Sequence, residues 1–518
     1  MTWFTSPDIN LPELIRLNAR WRGTKPAVIC DERTLDWQEF AASLARTAST
    51  FEQLGLAHGD RIVVLMNNGL PMLDVMLGAI WGGFVAVPLN TSVADAGIAK
   101  MIADSNAAAI VAGDEHVGRV EALREAFSPA LNERLIADGK APPGWLALDE
   151  LRAGADPAHP IAALSPTDAC NIIYSSGTTG LPKGIVHSHA CRMAWAYDMS
   201  IALRYHSGAR TLVSLGLYSN ITWVTLLCTI LCGGTLIIAR SFDVSACLTL
   251  IEKLRVTHAG MVPVQFQRLL ASPQFDEHDL SSMSALMCCG SPLQPDLKRQ
   301  IVERIPGDFI ELYGLTEGLV TIQDPDEALD NPASVGRPCP GQDLRIVDGD
   351  DNEVPVGESG EILGCGRLLM AGYLNRDDAN AEATWTDSAG RRWLRTGDIG
   401  RVDENGNLYI VDRKKDMIIS GGQNIYPADI EAVIARYDGV RDVAVIGVAS
   451  SKWGETPLAV VVTDEDAFDT DALLAWSNSQ LGKQQRISAV RLIRELPRNP
   501  NGKVLKRELR KQFADIEL

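Results

Sequence analysis

Tyr174-Ser-Ser-Gly-Thr-Thr-Gly-Leu-Pro-Lys-Gly184 continues the compact apolar run 171–174 (NIIY). The run has the character of a buried strand, and it opens into a loop with three glycines, four aliphatic hydroxyls and a lysine. Glycines let backbone N–H groups approach an oxyanion closely. Hydroxyls add adjustable donors, and a lysine adds a point charge. The segment therefore reads as a polyphosphate cradle. It is not a Walker A loop, because Lys183 is followed by Gly184 rather than Ser or Thr and the glycine spacing differs. Gly-Thr-Thr-Gly alone reads equally well as a surface turn; the full eleven residues after a strand favour the cradle.

Strand and helix patterns alternate on both sides of this loop. The run 61–66 (RIVVLM) reads as a strand, 71–81 has helical spacing, and 84–88 is strand-like again. The alternation recurs at 107–111, 211–215 and 235–239, which predicts an α/β protein with largely buried sheets. The stretch 221–239 is apolar enough to suggest a membrane span. Gly233 and Gly234 interrupt it, so it reads as a core helix followed by a buried strand. After about Leu344 the strands shorten between turns such as Asp348-Gly-Asp-Asp-Asn352 and Asp403-Glu-Asn-Gly-Asn407, which are hairpin signals. A smaller α+β unit follows, with a helix over 427–436, strands over 440–448 and 458–462, and a helix over 469–481. Arg413-Lys-Lys415 reads as the junction between the large and small units.

Composition bounds the function. The chain has 518 residues, 46% of them hydrophobic and 22% charged, so a packed core rather than disorder is expected. A net charge of −18 argues against a nucleic-acid partner, since phosphate neutralisation needs a basic surface. The ten cysteines include no CxxC pair and several sit in apolar runs, which reads as free thiols in a reducing cytoplasm. No cationic stretch followed by an apolar one opens the sequence, so no signal peptide is expected. The eight histidines show no metal-ligand spacing. His187 and His189 are expected to start a helix after the loop. His258 reads equally as a core residue or a pocket residue.

Further motifs follow the loop: Tyr313-Gly-Leu-Thr-Glu317, Gly372-Tyr373, Trp393-Leu-Arg-Thr-Gly-Asp398, Val411-Asp-Arg-Lys-Lys-Asp416, Gly421-Gly-Gln-Asn-Ile-Tyr-Pro427 and Pro497-Arg-Asn-Pro-Asn-Gly-Lys503. In kind, order and spacing they resemble the adenylate-forming superfamily of acyl- and aryl-CoA synthetases, firefly-type luciferases and peptide-synthetase adenylation domains. The resemblance covers nearly the whole chain. It implies a large N-terminal adenylation region, 1–412, of two sandwiched α/β subdomains plus a small β-rich part. A small mobile α+β C-terminal domain, 413–518, would follow. It also implies the reaction of an AMP-forming acid–CoA ligase: ATP, Mg2+ and a hydrophobic carboxylic acid give acyl-AMP and pyrophosphate, and CoA then displaces AMP. The alternative is an adenylating enzyme that delivers its acyl group to a carrier protein or another acceptor.

The resemblance implies site residues one by one. Ser175, Ser176, Gly177, Thr178, Thr179, Gly180 and Lys183 would hold phosphate. Ser291, Pro292, Glu311, Leu312, Tyr313 and Gly314 would line the nucleotide, with Tyr313 stacking on adenine. Thr316 would contact the phosphate and Glu317 the Mg2+. Asp398 would accept from the ribose hydroxyls beside Arg413. Lys503 would bridge the attacking carboxylate and the α-phosphate, so Lys503, Thr316 and Glu317 form the catalytic set. Lys415 falls at the hinge, and Gly421 and Gly422 at the CoA side. The acyl pocket would draw on Tyr218, Ser219, Trp223, Met261, Val262, Phe266 and Gly290. Many members carry Pro-Leu-Phe-His where this chain reads Gly216-Leu-Tyr-Ser219, so the acid's identity does not transfer. The apolar set suits medium-chain aliphatic, alicyclic and aryl acids alike. A cytoplasmic enzyme with no membrane span is expected, with a homodimer as the default assembly.

Overall fold

The computed structural model describes residues 9–175, 182–420, 423–465, 468–483, 485–498, 502–516 and 518. The chain divides into two compact units. The first runs to Pro332 and adds Pro338–Asp343 and Cys365–Thr384; the second comprises Ala333–Arg337, Leu344–Gly364 and Trp385–Leu518.

The first unit is built on two sheets whose strands bury both faces. Ile62 and Val64 face one apolar cluster, whereas Val63 and Leu65 of the same strand Arg61–Leu65 face another. Both sheets contribute to the first of these clusters. The helices Trp37–Gln53, Leu70–Trp81, His189–Ala202 and Asn220–Cys232 contribute to it too, so these helices lie between the sheets. Apart from the buried Asp74, which Arg152 neutralises, Leu70–Trp81 is apolar on every face and almost completely buried, as a helix sandwiched between layers tends to be. Trp37–Gln53 starts on a reciprocal cap between Asp36 and Glu39. The doubtful stretch resolves as the helix Asn220–Cys232, a left-handed Gly233 and the buried strand Thr235–Ile238. Among the described residues no helix is long and apolar enough to cross a membrane.

One sheet contains a run of six parallel neighbours. They are, in spatial order, Asp308–Gly314, Ala285–Cys288, His258–Met261, Arg210–Val213, Thr235–Ile238 and Pro26–Cys30. Parallel strands all end at the same edge of a sheet. The segments after four of these strands, at 214–219, 262, 289–292 and 315–317, therefore emerge side by side. That edge is where open α/β sheets bind ligands.

His189 does start a helix, but His187 does not. It lies in the strand Lys183–Ser188, which returns antiparallel along Ala169–Ser175. Period-two alternation buries Ile185 and His187 on one face of that strand.

The second unit opens with hairpins. Arg392–Val402 and Leu408–Arg413 pair antiparallel across the Asp403 turn, whose carboxylate accepts from the N–H groups of Asn405 and Asn407, both at 2.9 Å. Asp348 caps its own turn in the same way, accepting from Asp350 and Asn352. The α+β part has the helix Pro427–Ile434, the long antiparallel pair Val440–Ser450 and Gly454–Thr463, and the helix Thr470–Gln480. The segment 413–415 lies inside this unit.

Candidate active site

Ser175 and Lys183 are paired across the antiparallel strands, so the glycine-rich loop is the connection between them. Ser176, Gly177, Thr178, Thr179 and Gly180 lie outside the described residues. At the loop's foot, Gly372–Tyr373 adds a short strand against Val186 and Ile185. This register sets the Tyr373 ring 4.6 Å from Lys183 Nζ, while the Tyr373 hydroxyl donates to Glu317 Oε1 at 2.9 Å. Gly372-Tyr373 carried no assigned role in the sequence; the fold makes Tyr373 the bridge between the cradle lysine and the Thr-Glu pair.

Thr316 and Glu317 sit in a tight turn after the strand Asp308–Gly314. Glu317 O accepts from Met370 N at 2.8 Å, and Thr316 O is 2.8 Å from His187 Nε2. Gly318 makes the turn possible: its φ is +123°, and a Cβ there would lie 2.2 Å from Leu368 O. Tyr313 is half-buried on the same strand. Glu311 is committed to Lys298, whose Nζ lies 2.5 Å from Glu311 Oε2 and 2.7 Å from Gln323 Oε1. Burial pushes the Glu311 carboxyl up, and Lys298 opposes that rise. Leu312 is buried. Ser291 and Pro292 follow the neighbouring strand at the same sheet edge, with Ser291 half-buried and Pro292 exposed.

After the strand Arg210–Val213, Ser219 is buried at the N-cap of Asn220–Cys232, and Tyr218 is half-buried beside it. Burial raises the Tyr218 phenol. Gly290 has φ +99°, and a Cβ there would approach Ile221 Cδ1 to 2.9 Å and Val262 Cγ1 to 3.2 Å. The start of the helix, Val262 and Gly290 therefore converge. Three expected pocket residues do not join them. Met261 and Phe266 are buried in the outer core beneath the sheet, with the Phe266 ring 6.3 Å from that of Phe309. Met261 points the opposite way to its strand neighbours because side chains alternate. Trp223 is buried between the sheets, its indole N–H donating to Leu217 O at 3.1 Å. These three are packing residues.

In the second unit, strand register pairs Asp398 with Arg413, and the guanidinium Nε lies 2.6 Å from Asp398 Oδ1. The backbone N–H of Asp398 donates to Thr396 Oγ1 at 3.0 Å, and Gly397 turns the chain with φ +68°. Arg395 and Lys414 both hold Glu361 Oε2, at 2.9 Å each. Lys503 lies close to this cluster. Burial first, then the Arg413 charge, lowers its pKa to about 8, with Asp398 opposing. Burial also lowers Lys415. Gly421 and Gly422 lie outside the described residues.

The family model described as AMP-binding enzyme matches residues 15–374, and that of the AMP-binding enzyme C-terminal domain matches residues 429–503. The chain belongs to the AMP-binding enzyme family. It is 35% identical over 485 residues to a feruloyl-CoA synthase of an Amycolatopsis species, covering 93% of this chain and 94% of the relative. It is 33% identical over 492 residues to the long-chain-fatty-acid–CoA ligase FadD13 of Mycobacterium tuberculosis, covering 93% of each. The solved ATP-bound MatB from Rhodopseudomonas palustris superposes with a TM-score of 0.87 at 28% identity, over 98% of this chain and 99% of that one. This member of the family is an AMP-forming acyl-CoA ligase. It uses ATP and CoA, converting a carboxylic acid to its adenylate and then to its thioester.

Sequence reasoning missed the buried partners of the motif residues: Tyr373's bridging role, Arg192 behind His187, and Lys298 behind Glu311. Arg192 carried the clearest signal, as the one Arg or Lys in the otherwise largely apolar helix His189–Ala202.

Proposed function

We propose that this ligase activates a hydrophobic carboxylic acid bound among Tyr218, Ser219, Val262 and Gly290. The observation that carries the reading is the shared carboxyl edge of the parallel strands. It brings these acid-side residues beside the Thr316–Glu317 turn. A carboxylate and the α-phosphate of ATP must meet to react, and adjacent strand ends are suited to hold both.

In the first half-reaction a carboxylate oxygen attacks the α-phosphorus, the bond to the bridging oxygen breaks, and pyrophosphate leaves. Thr316 donates its hydroxyl to the phosphate. Lys183 and the cradle hold the polyphosphate. Asp398 accepts from the ribose hydroxyls, and Lys503 neutralises the charge that builds between carboxylate and phosphate. In the second, the CoA thiolate attacks the acyl carbonyl carbon and AMP leaves. Lys415 acts as the hinge of a mobile domain, 413–518, and Gly421 and Gly422 face the CoA channel. A backbone hinge need not be glycine.

The donor set fits Mg2+. Glu317 offers one half-buried carboxylate oriented by Tyr373, and among the described residues no cluster of three or more His, Cys, Asp or Glu could hold a metal by itself. An ion held by one carboxylate plus substrate phosphates is the usual manner of Mg2+. Bound there, it supplies neutralisation of the phosphate charge. We also infer a cytoplasmic enzyme, acting as a homodimer.

The test is AMP release from ATP and Mg2+ across aryl, alicyclic and aliphatic acids, with and without CoA. Multiple turnover that requires both a hydrophobic acid and CoA is expected. Turnover that is indifferent to CoA would point instead to a carrier protein or another acceptor. Activity confined to small polar acids would refute the apolar pocket.

A further inference from the structure

Arg192 is completely buried, yet among the described residues no carboxylate forms an ion pair with it. Its partners are neutral. Nε donates to Asn171 Oδ1 at 2.8 Å and Nη1 to Asn220 Oδ1 at 2.8 Å. Nη2 lies 3.2 Å from His187 Nδ1, and the guanidinium carbon lies 4.8 Å from the centre of the Trp223 ring. Burial lowers its pKa to about 10, which leaves it cationic at neutral pH.

The hydrogen-bond chemistry fixes the histidine. A guanidinium only donates, so His187 Nδ1 must accept. The neutral ring then carries its proton on Nε2, which lies 2.8 Å from Thr316 O and donates to it. Burial, reinforced by the Arg192 charge, holds the His187 pKa well below its usual value, so this tautomer persists. The line Asn220–Arg192–His187–Thr316 thus joins the first residue of the acid-side helix to the carbonyl of the phosphate-side turn. Asn171, on the strand leading to the glycine-rich loop, is tied to the same guanidinium.

We propose that Arg192 and His187 form a buried relay that positions Thr316 and Glu317 for adenylation and couples them to the acid-side helix. Both are positioning residues: neither touches substrate, and both act through the Thr316 carbonyl and Asn220. The proposal rests on the reading of Thr316 as a phosphate contact and of Glu317 as a metal contact. A buried hydrogen-bonded network of this kind holds reacting groups to fractions of an ångström, and small misplacements are costly in rate.

The test compares His187→Phe, which keeps the bulk and removes the donor, with His187→Gln, whose amide N–H can reach the Nε2 position. Acid-dependent pyrophosphate exchange gives kcat and KM for ATP, and thermal unfolding is followed in parallel. His187→Phe is expected to lower kcat about tenfold, with KM for ATP changed by less than about twofold, and His187→Gln to recover most of it. Equal losses in the two variants, or an unchanged kcat in His187→Phe, would overturn the relay. If His187→Phe does not fold, Asn220→Ala probes the half-exposed end of the network. A severalfold fall in kcat supports the relay, and none refutes it. Thr316→Ala separates the two levels. If Thr316→Ala is impaired and His187→Phe is not, only the relay falls. If Thr316→Ala exchanges like the parent enzyme, the phosphate reading falls and the relay with it.

Discussion

Arg192 in the first unit and Arg413 in the second show two ways of using a guanidinium. Arg192 is sealed from solvent and held by three neutral acceptors and an aromatic face. Arg413 is half-buried and held by one carboxylate, Asp398. A buried cation without a counter-charge is tolerable only when directional acceptors satisfy its donors, and that requirement freezes the surrounding segments. An ion pair at a half-exposed position can exchange partners when a ligand with hydroxyls arrives. The first region is therefore held to one geometry, whereas the second can exchange its partner, as the proposed hinge motion would require. Lys503, desolvated beside Asp398 and Arg413, belongs to the second kind.

The largest effect expected is that of Lys503→Ala. Acid-dependent pyrophosphate exchange should fall by about a thousandfold. Thioester formation from supplied acyl-adenylate should fall far less. Comparable losses in both would mean that Lys503 holds the second region together rather than serving one half-reaction.

Arginine-to-lysine exchanges test the contrast directly. Arg192→Lys offers one ammonium to three separately placed acceptors and should cost about 2–3 kcal/mol by urea denaturation. Arg413→Lys keeps a cation on Asp398 and should cost less than about 1 kcal/mol. Equal costs would break the comparison.

The pH dependence sharpens it. Lys503 must be cationic to neutralise the forming charge, and its pKa is lowered to about 8. Protonation is complete well below that value and is lost above it. The kcat/KM for adenylation, which reports the free enzyme, should therefore drop about tenfold per unit above roughly pH 8. His187 stays neutral across this range and should add no limb. A profile flat to pH 10 would contradict the Lys503 assignment.

The smallest effect concerns the hinge. Lys415→Pro should slow thioester formation several times more than adenylation, in separate single-turnover assays. Equal slowing would leave Lys415 a structural residue of its turn.

Much of this was legible before the fold was seen. The glycine-rich loop stood out because glycines, hydroxyls and lysine in one short stretch have few other uses, and its phosphate role remains part of the proposal. The strands at 61–66 and 235–239 and the hairpin at 403–407 were legible because periodicity and turn chemistry are local properties. The residues expected around the acid divide in the fold in a way the sequence does not show. Met261 and Val262 are adjacent and equally apolar, yet one packs into the outer core and the other meets Gly290. Hydropathy cannot separate them, since the difference is which face of a strand they occupy and what lies against it. His187 was read as a helix start for a similar reason: only the return strand along Ala169–Ser175 shows that it is paired and turned inward.

The sequence by itself determined the α/β class and the ordered motifs, because each is written in neighbouring residues. The tertiary structure alone decided the company those motifs keep. Tyr373 lies between Lys183 and Glu317, Arg192 lies behind His187 and Thr316, and Lys503 lies near Asp398 and Arg413. These groups lie far apart in the chain, and only parallel strand ends, an added edge strand and burial bring them within hydrogen-bonding or electrostatic range.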